Sequence, residues 1–522
     1  MALKYPYQNF YEMISSNAES HPDDTVIFID DEKITHREFL QKVDSFARFL
    51  EISGVNADDK VALITPNSEV FAIAVFAATK IGAVAVPINS LLKESEYIYI
   101  LNDCEAKVLI TSIKMVKQVQ NLSDETKVHR TIWIDEAPVV DKHHVLYQEI
   151  ADIKPYKKEK FHKKELDDLA VIFYTSGTTG KPKGAMISYR NIFSNLDGAS
   201  QIFSITSKDR FIVYLPMFHA FTFSIMVMLP FYAKASFIII RSIMPFSNII
   251  KQTLLKRVTI FLGVPDIYNA LIRAKLPWYF LWFNSIRAFI SGASALSEDT
   301  FNRYSNVFSR AKMLEGYGLS ECSPAVCINT LEQQKTLSVG KAMPGYEVKI
   351  VDEEMLEVPR GQIGELIVRG DCVMMGYLNN PEATADTIVN GWLRTGDLGK
   401  MDEDDFIYIV DRMKDLIISK GINIYPRQIE EELMKIGYIK GAAVIGIKDP
   451  NSGEVPVAYV ELDSEMDISD VTPASIKSEL KQHLANFKLP KIVHIVDELP
   501  KTATGKILKR VLKEQYIQQG EE

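Results

Sequence analysis

The stretch "YTSGTTGKPKGAM" (174–186) sets glycines, threonines and a serine beside two lysines, directly after an apolar run. The chemistry this composition suits is anion binding. Gly177, Gly180 and Gly184 let backbone N–H groups converge, Ser176, Thr178 and Thr179 add hydroxyl donors, and Lys183 adds a point charge. The spacing is not that of a Walker A loop, which needs G-x-x-x-x-G-K followed by Ser or Thr. Counting back from Gly180-Lys181 puts Thr175 where the first glycine belongs, and Lys181 is followed by Pro182. Clusters of Gly, Ser and Thr are ordinarily surface turns. Here the cluster follows "LAVIFY" (169–174), the pattern of a short buried strand, and this favours a phosphate loop. "ISYRNIFSNL" after it suits a helix capped by Ser188, with Pro182 keeping any helix from starting at Lys181. The local expectation is therefore strand, loop, helix.

Four further stretches carry chemistry-bearing side chains. In "EGYGLSE" (315–321), Glu321 ends a tight turn, and a carboxylate beside bound phosphates is a natural Mg2+ ligand. In "GWLRTGDLG" (391–399), Asp397 can accept two hydroxyls through its two oxygens. "DRMKDLIISKGINIYPRQIE" (411–430) holds Arg412 and Lys414, and "PKTATGKILKR" (500–510) holds Lys506. Taken singly these are an exposed acid, a turn aspartate and solvated cations.

In this order, with the loop, the five stretches resemble the core motifs of the adenylate-forming superfamily: acyl-CoA synthetases, non-ribosomal adenylation domains and luciferases. The resemblance runs over nearly the whole chain and is most marked to bacterial medium- and long-chain fatty acyl-CoA synthetases. It implies that ATP converts a carboxylic acid to an acyl adenylate plus pyrophosphate, and that a thiol then displaces AMP. It implies ATP or AMP contacts at Thr175, Ser176, Gly177, Thr178, Thr179, Gly180, Lys183, Gly292, Ala293, Glu315, Gly316, Tyr317, Asp397 and Arg412. Tyr317 would flank the adenine, with "SGAS" (291–294) as the wall on its other side. Catalysis is implied for Lys506 and for Glu321 as the Mg2+ ligand, with Ser320 providing the hydroxyl where many relatives have Thr. His219, Phe218, Val264, Gly318 and Gly421 fall on the acyl and coenzyme A channel, and Lys414 on a hinge. His219 alone could equally be a packed core residue. A carboxylate attacking the α-phosphate brings two anions together, so positive charge is needed and a general base is not. One departure is Asp405, where relatives usually have Gly; Asp tolerates a left-handed turn.

The elements that must position these residues can be read from pattern. At 522 residues the chain exceeds one ordinary core. Residues 60 to 112 alternate strand and helix signatures, a parallel α/β unit. The lysine-rich "KPYKKEKFHKKE" (154–165) reads as a solvated connector. A second α/β region follows to about residue 330, then short strands with Gly, Pro and Asp turns, then a small α+β part. The expected fold is α/β: residues 1–410 form a large adenylation domain with α/β subdomains and a β-rich one, and residues 411–522 a small mobile α+β domain. "FTFSIMVMLPFYAKASFIII" (221–240), interrupted by Pro230 and Lys234, reads as buried helix then buried strand, not a membrane span.

The composition is 47% hydrophobic and 24% charged, and the net charge of −9 argues against nucleic acid as a partner. Cys104, Cys322, Cys327 and Cys372 form no C-x-x-C pair, so neither zinc site nor disulfide framework is indicated. The amino terminus lacks the apolar core of a signal peptide. A cytoplasmic protein is expected, and a homodimer is compatible with the sequence. The aromatic stretch in "KLPWYFLWFNSIRAF" (275–289) is read as core; the alternative is an exposed patch giving weak peripheral attachment at the inner membrane face.

The expected partners are ATP, coenzyme A and a fatty acid. No carrier domain follows, which points to free coenzyme A. "LPMFHAFTFSIMVMLP" (215–230) has no basic residue for a second carboxylate, and Met217, Phe218, Phe221, Phe223, Met226, Met228 and Phe231 are expected to line or back the acyl path. An aryl or cinnamate CoA ligase shares every motif and would differ in pocket volume. A fatty acyl-AMP ligase would carry an insertion near the hinge, which the sequence lacks. A non-enzymatic binding module would have lost Lys506 or Glu321, and both are present.

Overall fold

The computed structural model describes residues 3–520 except 152, 155–161, 176–180, 243, 274–275, 295, 451, 464–465, 467, 469 and 503–504. Strands Lys60–Ile64, Val84–Pro87 and Ala106–Thr111 pair in parallel, with helices Glu69–Lys80 and Glu94–Asp103 crossing between them, as the alternating pattern implies. They form the middle of an eight-stranded sheet that Leu169–Thr175 joins. Helix Glu69–Lys80 is apolar on nearly all sides, and its residues from Val70 onward are all buried, so it needs a layer on each face. Its Phe71 meets Phe223 and its Phe76 meets Phe231. Both partners come from the apolar segment 221–240, which folds as a π-helix Thr222–Met228, a short helix Leu229–Tyr232 and a buried strand Ser236–Ile239. Among the described residues no helix is long and apolar enough to cross a membrane.

Strand Ser236–Ile239 belongs to a nine-stranded sheet. In it, Arg210–Val213, Ile260–Gly263, Ala288–Ser291 and Lys312–Gly318 run parallel to one another. The π-helix lies against the eight-stranded sheet through Phe223 and Phe173, and one continuous apolar core joins the two sheets. The β-rich part is a five-stranded sheet of Glu347–Val351, Gly364–Arg369, Ile388–Val389, Trp392–Met401 and Ile407–Arg412, antiparallel throughout. Asp405 adopts φ +66° in the turn before its last strand, and its carboxylate pairs with Arg360 at 2.7 Å. From Ile417 onward a second five-stranded sheet, with helices Pro426–Met434, Pro473–Leu480 and Lys509–Gly520, carries two small cores of its own. All four cysteines are buried thiols.

Two expectations are corrected. The chain does not pass from the loop directly into a helix. Lys183–Ser188 is a strand folded back on Leu169–Thr175, and the helix begins only at Tyr189. The strand pairing satisfies backbone groups that an uncapped helix start would leave orphaned, and Ser188, in a capping box with Asn191, is the residue that caps. The aromatic stretch near residue 280 is also not core as a whole. Helix Trp278–Phe283 buries Phe280 and half-buries Leu281, leaving Trp278, Tyr279, Trp282 and Phe283 exposed. A six-residue helix can turn only one side to the core.

Gly340 lies where the edge of the nine-stranded sheet meets Ile407–Arg412. Ile407 N donates to its carbonyl at 2.9 Å, and its own N–H donates to the Ser338 hydroxyl at 2.9 Å. Its φ is +86°, and a Cβ there would stand 1.9 Å from the Ile328 carbonyl carbon. Gly361 has a similar φ of +82° with open space around it. Gly340→Ala should therefore destabilise by roughly 3 kcal/mol or more and Gly361→Ala by only about 1 kcal/mol. Equal shifts of the two unfolding midpoints in scanning calorimetry would show that the approach at Gly340 is not rigid.

Candidate active site

The sequence-distant candidates converge because they follow the carboxyl ends of parallel strands, where diverging loops leave a crevice. Thr175 ends Leu169–Thr175; His219 and Phe221 follow Arg210–Val213; Val264 follows Ile260–Gly263; Gly292 and Ala293 follow Ala288–Ser291; and Glu315 to Gly318 end Lys312–Gly318. Ser176, Gly177, Thr178, Thr179 and Gly180 lie outside the described residues. The two ends of their loop, Thr175 and Lys183, are cross-strand partners.

At one corner Glu321 Oε1 accepts from the Tyr377 hydroxyl at 3.0 Å and from Thr175 Oγ1 at 3.4 Å. The Lys183 ammonium sits 5.2 Å from the centre of the Tyr377 ring, a cation–π distance. Ser320 opens the short turn Ser320–Cys322. Glu321 is a single carboxylate among hydroxyls, and no group of three or more His, Cys, Asp or Glu is gathered for a metal among the described residues. A cation held by one carboxylate and completed by substrate oxygens and water is the habit of magnesium, so the residues present fit that ion. Tyr377 was not foreseen. Its place follows from the pairing of Gly376–Tyr377 with Met186 and Ala185, a contact with no local sequence signal.

At the next corner Asp397 is buried, accepts from the Tyr317 hydroxyl at 2.5 Å, and forms an ion pair with Arg412, whose Nε lies 3.3 Å away. Asp397 and Arg412 face each other across neighbouring strands. Burial, and then the Asp397 charge, hold the Tyr317 phenol well above its usual range. Glu315 is buried and accepts from Leu296 N at 3.1 Å; burial pushes its carboxyl up to about 7. Gly316 pairs with Ile328. At Gly318 a Cβ would stand 1.9 Å from the Pro324 carbonyl oxygen, so no side chain fits there. Gly292 is covered by the Phe221 ring, 3.2 Å from where a Cβ would lie, and Ala293 is exposed with φ +67°.

Lys506 reaches this place from the small carboxyl-terminal unit. Its loop closes through Thr502 N to Lys506 O at 2.8 Å and Lys506 N to Thr502 Oγ1 at 3.1 Å. Lys501 Nζ holds the loop against helix Pro265–Arg273 by a 3.2 Å contact with Asp266 Oδ2. Burial first, and then the charge of Arg412, lower the Lys506 ammonium to about 8, with Asp397 opposing. Burial and the Lys506 charge lower the His219 imidazole to about 4, so it is neutral at neutral pH. His219, Lys506, Arg412 and Asp397 thus share one electrostatic environment. Phe218 and Val264 are buried. Of the apolar residues expected along the acyl path, Phe231 belongs instead to the deep core with Phe39, Phe76 and Phe237. Gly421 is not brought to the site: it is exposed at φ +77° in the turn between Ile417–Ser419 and Ile422–Ile424. Lys414 is exposed in the turn Met413–Asp415 that joins the two units.

The family model of the AMP-binding enzymes matches residues 14–378, and that of the AMP-binding enzyme C-terminal domain matches residues 428–506. The long-chain-fatty-acid–CoA ligase of Escherichia coli O6:H1 is 31% identical over 98% of this chain and 95% of its own length. Feruloyl-CoA synthase of Amycolatopsis sp is 33% identical over 92% of this chain and 94% of its own. The solved anthranilate CoA ligase AuaEII, in complex with anthranoyl-AMP, superposes with a TM-score of 0.90 at 26% identity, covering 99% of each chain. The chain belongs to the AMP-binding enzymes of the adenylate-forming superfamily and is an ATP-dependent, AMP-forming acid–CoA ligase.

Proposed function

We propose that the acid is a medium- or long-chain fatty acid and that the acceptor is free coenzyme A. The observation that carries this reading is the wall beside Lys506. His219 is neutral there, Phe218, Phe221 and Val264 are apolar, and residues 215–230 offer no cation to a second carboxylate. The chain divides into an adenylation domain through residue 410 and a mobile domain from residue 411. Asp397 receives the ribose hydroxyls while Tyr317 and Arg412 hold its carboxylate in place. Tyr317 and the backbone from Gly292 to Ala293 flank the adenine, with Glu315 and Gly316 behind it. Thr175 and Lys183, at the two ends of the Gly, Ser and Thr stretch, contact the phosphates. A magnesium ion held by Glu321 would neutralise phosphate charge, with the Ser320 hydroxyl beside it.

In the first step a carboxylate oxygen bonds to the α-phosphorus as the bond from that phosphorus to the bridging oxygen breaks. Pyrophosphate leaves with the electron pair. Lys506 stands between the two anions and stabilises the charge shared among their oxygens. In the second step the small domain rotates about Lys414, and the turn holding Gly421 replaces Lys506 beside Gly318. The coenzyme A sulfur bonds to the acyl carbon, the bond from that carbon to the phosphate oxygen breaks, and AMP leaves; the thiol proton passes to water.

Lys506→Ala should lower adenylation by roughly 10²–10³-fold while sparing thioester formation from supplied acyl adenylate. Because its ammonium titrates near 8, it is charged below that pH and loses its proton above it. Adenylation kcat/KM should fall along that alkaline limb, and the thioester step should not. Single-turnover assays of both half-reactions decide; equal loss in both would exclude the two-conformation mechanism.

The acid itself is decided by a substrate panel followed through AMP release. Each buried methylene contributes about 0.8 kcal/mol, so kcat/KM should climb steeply from acetate and peak on the order of 10 to 16 carbons. Malonate should be poor, because its second charge would be buried unpaired. A peak at benzoate, ferulate or coumarate with decanoate inactive would overturn the fatty-acid reading in favour of an aryl-CoA ligase and leave the ligase assignment standing.

A further inference from the structure

Helix Trp278–Phe283 is fastened from below and bare above. Phe280 packs on Phe308, with ring centroids 6.4 Å apart. Trp278, Tyr279, Trp282 and Phe283 are 69%, 46%, 66% and 68% exposed. Four large aromatic side chains presented by six residues form a patch that a monomer in water does not ordinarily keep without use. Trp and Tyr among them each combine an apolar ring with a polar atom, the combination that settles at the boundary of lipid and water.

The charge around the patch specifies what it meets. The whole chain has net charge −9, yet residues 241–297 contain seven lysines and arginines and one carboxylate, Asp266. Arg241 and Arg287 are neutralised by Asp30 and Asp209. Lys251 and Arg257 are exposed, on or just past helix Ser247–Leu255, which packs beside the aromatic helix. Arg310 sits 6.0 Å from the centre of the Trp282 ring and donates to the Trp282 carbonyl at 3.1 Å, which places a cation level with the aromatic rings. Aromatic rings with a fringe of cations match an apolar layer under negative headgroups. Asn284–Arg287 connect this helix to the start of strand Ala288–Ser291, whose other end leads to Gly292. A surface docked here therefore leaves the nucleotide side of the site in water.

We infer that helix Trp278–Phe283 and its basic fringe form a docking surface for an anionic lipid bilayer. The test uses the full-length protein with vesicles of phosphatidylcholine plus phosphatidylglycerol, and of phosphatidylcholine alone. The protein should float with the anionic vesicles, less with the neutral ones, and less again as salt is raised. Tryptophan emission should shift to the blue on binding; of the two tryptophans outside the patch, Trp133 is fully buried and Trp392 lies in the five-stranded sheet beside Lys349 and Arg369. The double variant Trp278→Ser with Trp282→Ser should keep its unfolding midpoint, lose the emission shift, and float at least about tenfold less. Absence of flotation, or flotation undiminished in the double variant, would overturn the inference. So would a dimer in gel filtration that the double variant dissolves while vesicles bind neither protein, which would assign the patch to a second copy of the chain. Because binding is read without turnover, failure here is distinct from failure of the fatty-acid reading.

Discussion

Asp397 is addressed at once by distant parts of the chain: Tyr317 from the nine-stranded sheet, Arg412 from its own five-stranded sheet, and the Lys506 loop of the carboxyl-terminal unit through charge. A buried carboxylate without partners would be costly. With two, its orientation is fixed, and its two oxygens still have acceptor capacity for a ligand. The phosphate corner depends on this frame, because the strand that carries Tyr317 goes on to Glu321. The path of that strand is itself confined by the absence of any side chain at Gly318, where the Pro324 carbonyl closes in.

The contacts that hold Lys506 in place are of another kind. Lys501 and Asp266 are a partly exposed pair, which contributes about 1 kcal/mol or less. Asp411 accepts from Arg427 N at 2.9 Å, and Arg427 Nη1 donates to the Ile409 carbonyl at 2.8 Å. Both bonds span Lys414 and would part on rotation. Inside the small unit the ties are firmer: Lys509 meets Glu430 at 2.7 Å, and Glu430 accepts from Val444 N at 2.7 Å. On the reading proposed above, this unit turns as a body, and few of the contacts named here would have to part for it to do so.

The sequence disclosed what depends on local pattern. The βαβαβ unit, the buried helix and strand of residues 221–240, the Ser188 cap and the left-handed Asp405 turn all form as read, because periodicity and capping are written within a few residues. What required the folded chain depends on distant pairing. Lys183–Ser188 is a strand because Leu169–Thr175 lies beside it, and Tyr377 faces Glu321 only because its strand lies against Met186. The aromatic stretch after Pro277 has no polar face to mark it as surface, so composition alone favoured core. Only the shortness of the helix, with Phe280 taking the inward position, turns the rest outward.

The acyl side was the least legible part for a physical reason: large apolar side chains serve equally as core and as substrate wall. Phe231 proves to be core, whereas Phe221 covers Gly292 at the mouth of the site. A flat aromatic acid and an extended alkyl chain can both bury carbon against such rings, and the discrimination available per methylene is modest. Charge is treated differently. His219 is held neutral by burial and by the neighbouring Lys506, and on the proposed reading Lys506 compensates one carboxylate, the one that reacts. If the acid lies along Phe218, Phe221 and Val264 as proposed, a second carboxylate would be desolvated with no lysine or arginine among residues 215–230 to receive it, a cost well above that of a missing methylene. On that reading the residues constrain the substrate more firmly by the charge they reject than by the carbon they accept.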